Sequence, residues 1–400
     1  MTLSSPPGSR RRGRPRTRGL IGILGTLVLA LALAACGSSA SSSTSSTASS
    51  AAAAGSGTTS SSASLASAPT TGVSAALQPF MSLPAKINVT TPLKSAPPAG
   101  KTFVMLGTNN PSNVLVQQKM QALAAIAHWN FSVVSYDPAN PGTFTSAETT
   151  ALAKHPQYLT EAGLPLTAQQ IAMAKSAGAK WILDSVYPVT VGGAVIAQVD
   201  AFAQDAVMGK IIADYFISDS GGKGNAMIEH VPAYPILDGF TSGFANEVKA
   251  KCPACKTSTV NVTIPDLAAG KLASDVVSAL RSDSGANYLV FDDGPFADGI
   301  TSALNAASLK VKIIGEAADQ AGISALKAGT EAAWTGFDPG YEAYENMDAA
   351  FRDAEGMAIP QAQEATQPTQ LLTKSTIGSA TNWSAPTNAQ AQFLALWHLK

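Results

Sequence analysis

Residues 101–111 read KTFVMLGTNNP, an apolar run that ends in a polar turn and a proline. Thr102–Gly107 (TFVMLG) is too short for a helix and unbroken in its apolarity, as a strand buried on both faces would be. Pro111 suits the first turn of a helix, where its missing N–H costs nothing, and Asn109 or Asn110 can cap that turn. The helix is expected to run to about Trp129, with the next strand at 131–137. Outward from this unit the same alternation recurs, the mark of βα units and a parallel sheet. Strands are expected at 158–162, 181–186, Asn225–His230, 258–262, 288–292, Lys312–Gly315 and 332–336. Helices are expected at 167–178, 205–217, 239–251, 269–281, 296–308, 319–328 and 341–354. That is more strands than one compact sheet ordinarily holds. The fold class expected is therefore α/β, with two doubly wound parallel-sheet lobes.

Hydrophobic residues make up 46% of the 400 and charged residues 13%, which suffices for a sizeable core. Six of the 26 basic residues are arginines between Arg10 and Arg18, and no Asp or Glu precedes residue 36. Without them 20 basic residues face 27 acidic ones, a net charge of −7. A body of that sign has no attraction for phosphate backbones, so nucleic acid is excluded as a partner.

The arginines precede an apolar run at 20–33, shorter than the roughly 20 residues a membrane span needs and flanked like a secretory signal. Leu33-Ala34-Ala35-Cys36 resembles the bacterial lipobox, which implies lipidation of Cys36 as the mature N-terminus. From Gly37 to about Thr71 the chain is almost wholly Ser, Ala, Thr and Gly, the composition of a flexible tether. The expected organisation is a signal peptide at 1–35, a tether at 36–98, and a body anchored by lipid on the outer face of the cell membrane.

Several strings of the body resemble the type I periplasmic binding proteins, the ribose-binding-like sugar-binding family. These are the first strand ending in Gly107-Thr108-Asn109-Asn110, Ala177-Gly178-Ala179 before a strand, and Asp205 and Gly209 opening a helix. Gly243-Phe244 inside a helix, Gly299 after Phe291-Asp292-Asp293, and Ile314-Gly315 before Gly322 and Gly329 follow in order. The likeness covers roughly residues 101–375. It implies a first lobe from 99–201 and 319–367 and a second from 202–318 and 368–400. Three crossings would join them, near 198–205, 316–319 and 367–373, and act as a hinge. It also implies a monomeric receptor, without cofactor or catalysis, that passes a sugar-like or polyol ligand to an ABC permease. A ligand sensor for a membrane partner would use the same binding physics.

In open α/β sheets ligands bind beyond the carboxyl ends of the strands. This rule nominates Asn109 and Asn110 after the first strand and Tyr187 after the fourth. Further on it nominates Tyr234, Asp238, Asp293, Phe296, Glu316 and Tyr341 as ligand-binding residues. Amides and carboxylates meet ligand hydroxyls, and aromatic faces cover the apolar side of a sugar ring. Capping and turn roles compete for Asn109, Asn110 and Asp293.

The only CxxC, Cys252-Pro253-Ala254-Cys255, is expected as a disulfide in an exported chain. The four histidines show no metal-ligand spacing, so no metal is expected. Ser220-Gly221-Gly222-Lys223-Gly224 precedes a strand and lacks the residues of a phosphate loop. The body has only two arginines, Arg281 and Arg352, both within expected helices. The cleft should therefore be acidic and aromatic, suited to a neutral polyol or a cation and hostile to anions. A phosphorylated sugar should show no saturable binding to the purified body in calorimetry; tight binding would refute this reading.

Overall fold

The computed structural model describes residues 75–138, 140, 142–184, 190–199, 202–360 and 366–400. The leader, Cys36 and most of the expected tether lie outside them, as does Tyr187. The described residues belong to one compact unit, 66–400.

The first sheet contains β1 (Thr102–Gly107), β2 (Asn130–Ser135), β3 (Tyr158–Glu161), β4 (Lys180–Asp184) and β5 (Val195–Val199), all parallel, in the order 2-1-3-4-5. Helices α1 (Pro111–Ile126), α2 (Gly142–Leu152) and α3 (Ala168–Ser176) connect its strands. Asn110 caps α1 by accepting from the Ser112 N–H at 2.9 Å, and Pro111 occupies the first turn. Alternate residues of β1 serve opposite layers: Phe103 and Met105 pack with α1, Val104 and Leu106 with α2.

After β5 the chain enters α4 (Phe202–Asp219) and builds a second sheet with the same winding. It comprises β6 (Asn225–His230), β7 (Lys256–Asn261), β8 (Tyr288–Phe291), β9 (Lys312–Gly315) and β10 (Ala333–Thr335), in the order 7-6-8-9-10. α5 (Leu237–Lys251) lies with α4 on one face. α6 (Ile264–Ala268), α7 (Leu272–Ser282), α8 (Ile300–Ala306) and α9 (Gln320–Ala328) supply the connections, and the other face buries Leu280, Leu304 and Leu326. α10 (Glu342–Ala354) follows, and β11 (Leu371–Leu372) adds an antiparallel edge to β10. The fold is α/β with two parallel-sheet lobes, as the strand count implied.

The lobe boundaries differ from expectation. α9 and β10 stay with the second sheet, since β10 pairs in register with β9, so no crossing occurs near 316–319. The chain returns to the first lobe only through 336–341, and of 319–367 α10 is what packs there, burying Met347 and Phe351 against Phe103. α11 (Ala389–Leu396) also belongs to the first lobe, through Phe393 and Trp397. The tether ends earlier than 98. Leu77 packs on α4 of the second lobe, whereas Ile87, Val89 and Leu93 enter the first core. These apolar residues are scattered without a period, so nothing marks them as core in the sequence. The described residues thus place five crossings between the lobes.

A buried ion pair ties three outlying pieces of the first lobe together. Arg352 Nε donates to Asp348 Oδ2 at 2.6 Å, Trp397 Nε1 donates to Asp348 Oδ1 at 2.8 Å, and Arg352 Nη2 donates to the Thr91 carbonyl at 2.6 Å. One of the body's two arginines is thereby committed to structure. Cys252, at the end of α5, and Cys255, before β7, form a disulfide with Cα atoms 5.3 Å apart.

α4 and α5 approach so closely that a β-carbon at Gly209 would strike the Phe240 carbonyl and one at Gly243 the Ala206 carbonyl. Overpacking of this kind costs roughly 1–3 kcal/mol. Gly243→Ala should lower the denaturation midpoint accordingly, without changing the m-value in urea titration.

Candidate functional site

In both sheets the strand order reverses beside the first strand, between β1 and β3 and between β6 and β8. Loops leave in opposite directions there and open a crevice at the carboxyl ends. A cavity of about 690 Å³ is lined from both crevices: by Thr108, Asn110, Ala162 and Gly163 of the first lobe, and by Asp292 and Asp293 of the second. The crossing 336–341 and the segment around Trp383 close its side, contributing Phe337, Asp338, Asn382, Trp383 and Ser384.

The first-lobe wall is held by its own hydrogen bonds. The Thr108 N–H donates to Asn113 Oδ1 at 2.8 Å, and Gln117 Nε2 donates to the Thr108 carbonyl at 2.8 Å. Beneath it Glu161, fully buried at the end of β3, accepts from the Leu164 N–H at 2.7 Å and the Asp184 N–H at 3.0 Å. Burial pushes its carboxyl up to about 8, against the pull of those backbone donors.

The second-lobe floor is an acid–imidazole chain. His230 Nδ1 lies 2.7 Å from Asp292 Oδ2 and Nε2 lies 3.1 Å from Asp238 Oδ1, so the ring can donate to both only as the imidazolium. Glu229 has no exposed surface, and neither of its oxygens meets an N–H donor among the described residues. Burial, then the Asp292 charge, pushes it up to about 9. Asp292 is itself raised by burial and by the charge of Asp293. Burial, then the Asp319 charge, raises Asp293 to about 7.

Charge in the wall is one-sided. Eight carboxylates line the cavity, against Lys119 as the only basic side chain, with no arginine. Lys119 is already engaged, 3.6 Å from Asp338 Oδ1 and 5.3 Å from the centre of the Tyr344 ring. Asp338 also accepts from the Gly340 N–H at 2.9 Å and the Ser384 hydroxyl at 2.6 Å.

Of the residues nominated by sequence, Asn110, Asp293 and Glu316 line the cavity together. Asn109 is exposed beside it and is not part of the lining. Tyr341 is core: its hydroxyl donates to Asn88 Oδ1 at 2.7 Å and its ring packs on Phe393, because the start of α10 turns inward. Phe296 sits half-buried in a 3-10 turn against the second core. Tyr234 is 41% exposed outside the lining, and Asp238 serves His230. Asp184, Asp205, Asp319, Asp338, Glu342, Lys119 and Trp383 were not nominated. The strand-end rule could have found Asp184, the last residue of β4, and Asp319, the cap of α9. No local pattern marks Lys119 or Trp383.

A group raised on folding contributes stability that is full below its unfolded value and is lost as pH climbs through its folded value. For Glu229 that window runs from the ordinary carboxylate range to about 9. Denaturation of the native chain should show stability falling between pH 5 and 9, and Glu229→Gln should flatten that fall.

No family model and no curated protein matches this sequence. Solved structures do match. A periplasmic solute-binding protein of an ABC transporter from Actinobacillus succinogenes, with bound D-allose, is 16% identical, covering 71% of this chain and 100% of its own, with a TM-score of 0.60. An ABC transporter solute-binding protein from Mycobacterium smegmatis, with bound glycerol, is 18% identical over 72% of this chain and 98% of its own, also at 0.60. A chain from Bacteroides fragilis described as a LacI transcriptional regulator is 14% identical over 70% and 99%, at 0.58. Two lobes, each wound 2-1-3-4-5, with a cavity between their facing strand ends, give this chain the fold of the type I periplasmic solute-binding proteins.

Proposed function

We propose that this chain is a lipid-anchored solute-binding protein of the extracytoplasmic face, which captures a small polar solute between its lobes and delivers it to an ABC-type permease. The observation that carries the reading is the cavity of about 690 Å³ lined by the strand ends of both lobes. A ligand there touches both halves, so its binding free energy depends on how the lobes are arranged and can favour their closure. The volume lies within the range of small-molecule sites. Carboxylates accept from hydroxyl or ammonium groups and repel anions. The resemblance of residues 33–36 to a lipobox supports the anchor, and the Ser/Ala-rich stretch after it supports reach from a membrane.

Mass spectrometry of the chain as purified should release a bound small molecule unaltered; conversion of that molecule would point instead to an enzyme. A ligand at a hundredfold its Kd should raise stability by about 2.7 kcal/mol in thermal denaturation. Ser112→Trp, at an exposed first-turn position of α1 that lines the cavity, should remove that gain while changing ligand-free stability by no more than about 0.5 kcal/mol. Cys36→Ser should move the protein from the membrane to the soluble fraction on cell fractionation.

A further inference from the structure

We propose that the solute is a small organic cation, a protonated amine borne on a polar body; this rests on the solute-binding reading and narrows it. The cavity wall carries eight carboxylates and one lysine, and that lysine is held by Asp338 and Tyr344. Acids come from every side: Asp184 from the first lobe, Asp293, Glu316 and Asp319 from the second, and Asp338 from a crossing. None of the ion pairs among the described residues involves Asp293 or Asp319. The charge of Asp319 bears on Asp293, adding to burial in raising its carboxyl to about 7. Asp292, a wall side chain with no exposed surface, is hydrogen-bonded to Glu229 and meets only His230 among the ion pairs of the described residues.

Closing the lobes over this wall removes water and lowers the local dielectric, which strengthens the repulsion among like charges. A neutral polyol donates hydrogen bonds to carboxylates but leaves their charge in place, and an anion adds to it. A cation cancels it. A bare metal ion fits poorly, because no three His, Cys, Asp or Glu side chains among the described residues converge to hold one, and the space is far larger than an ion. Trp383 and Phe337 add aromatic surface to the same wall, the other kind of group that attracts an organic cation.

The test compares glucosamine, glucose and glucose 6-phosphate, one ring in three charge states, with putrescine and glycerol as further probes, by calorimetry on the full chain. Glucosamine or putrescine should bind at least about tenfold tighter than any neutral probe. That preference should shrink at high salt, on lowering the pH from 8 to 6 as Asp293 takes up its proton, and in Asp293→Asn. Asp319→Asn, which keeps a capping side chain on α9, should shrink it too. Glucose or glycerol binding as tightly as the amines, without salt dependence, overturns the cation and leaves the solute-binding reading standing. No binding by any of the five overturns the cation, and the molecule released in mass spectrometry then decides the solute-binding reading separately.

Discussion

Parallel strands joined by helices impose one constraint from which the rest of this molecule follows: every parallel strand of a lobe ends at the same edge. That edge collects the turns, the capping side chains and the positive ends of the helices, while the interior is left to apolar runs. Two such edges set face to face leave a gap lined by turns, helix starts and the side chains they carry, which core packing does not fill. The cavity is the remainder of that geometry. Its position is decided by chain polarity, and only its chemistry is left to particular residues such as Asp293 and Asp338.

That chemistry is costly to the fold. Carboxylates gathered under low dielectric either find donors, as Glu161 does from the backbone N–H groups of Leu164 and Asp184, or are pushed toward the neutral form, as Glu229 is beside Asp292. His230 spans the remaining gap, with one nitrogen on each of two carboxylates. A purely structural strand end would be better served by Val or Thr than by this chain of titrating groups. Such concentrations of perturbed acids in a cleft accompany function more often than packing.

The parts legible in sequence were those with both faces buried or with a capping residue at a strand end. β1 is a nearly continuous apolar run, β6 and β9 carry apolar centres between polar ends, and the limits of all three were read to the residue. Asn110, Asp293 and Glu316 stand within three residues of strand ends, so the strand-end rule reached them. Tyr341 also follows a strand, but a helix start has an inner and an outer face and the rule cannot choose between them. β5, with alanine and glutamine at its centre, and α11, eight residues of weak periodicity, carry too little signal to be told from loop. Trp383 and Lys119 reach the cavity only because distant segments fold back onto it. Such placement depends on contacts across hundreds of residues and leaves no local trace.

The first lobe takes Ile87 and Leu93 from one end of the described chain and Phe393 and Trp397 from the other, with α10 from between. Its hydrophobic core therefore stays open until residue 397 is present, and no early fragment can mature by itself. During synthesis, or during threading through a narrow pore from the N-terminus, such a lobe lingers as loose chain and completes late, through contacts of high sequence separation. For the exported chain proposed above, a lobe that waits for its own tail would be a built-in delay.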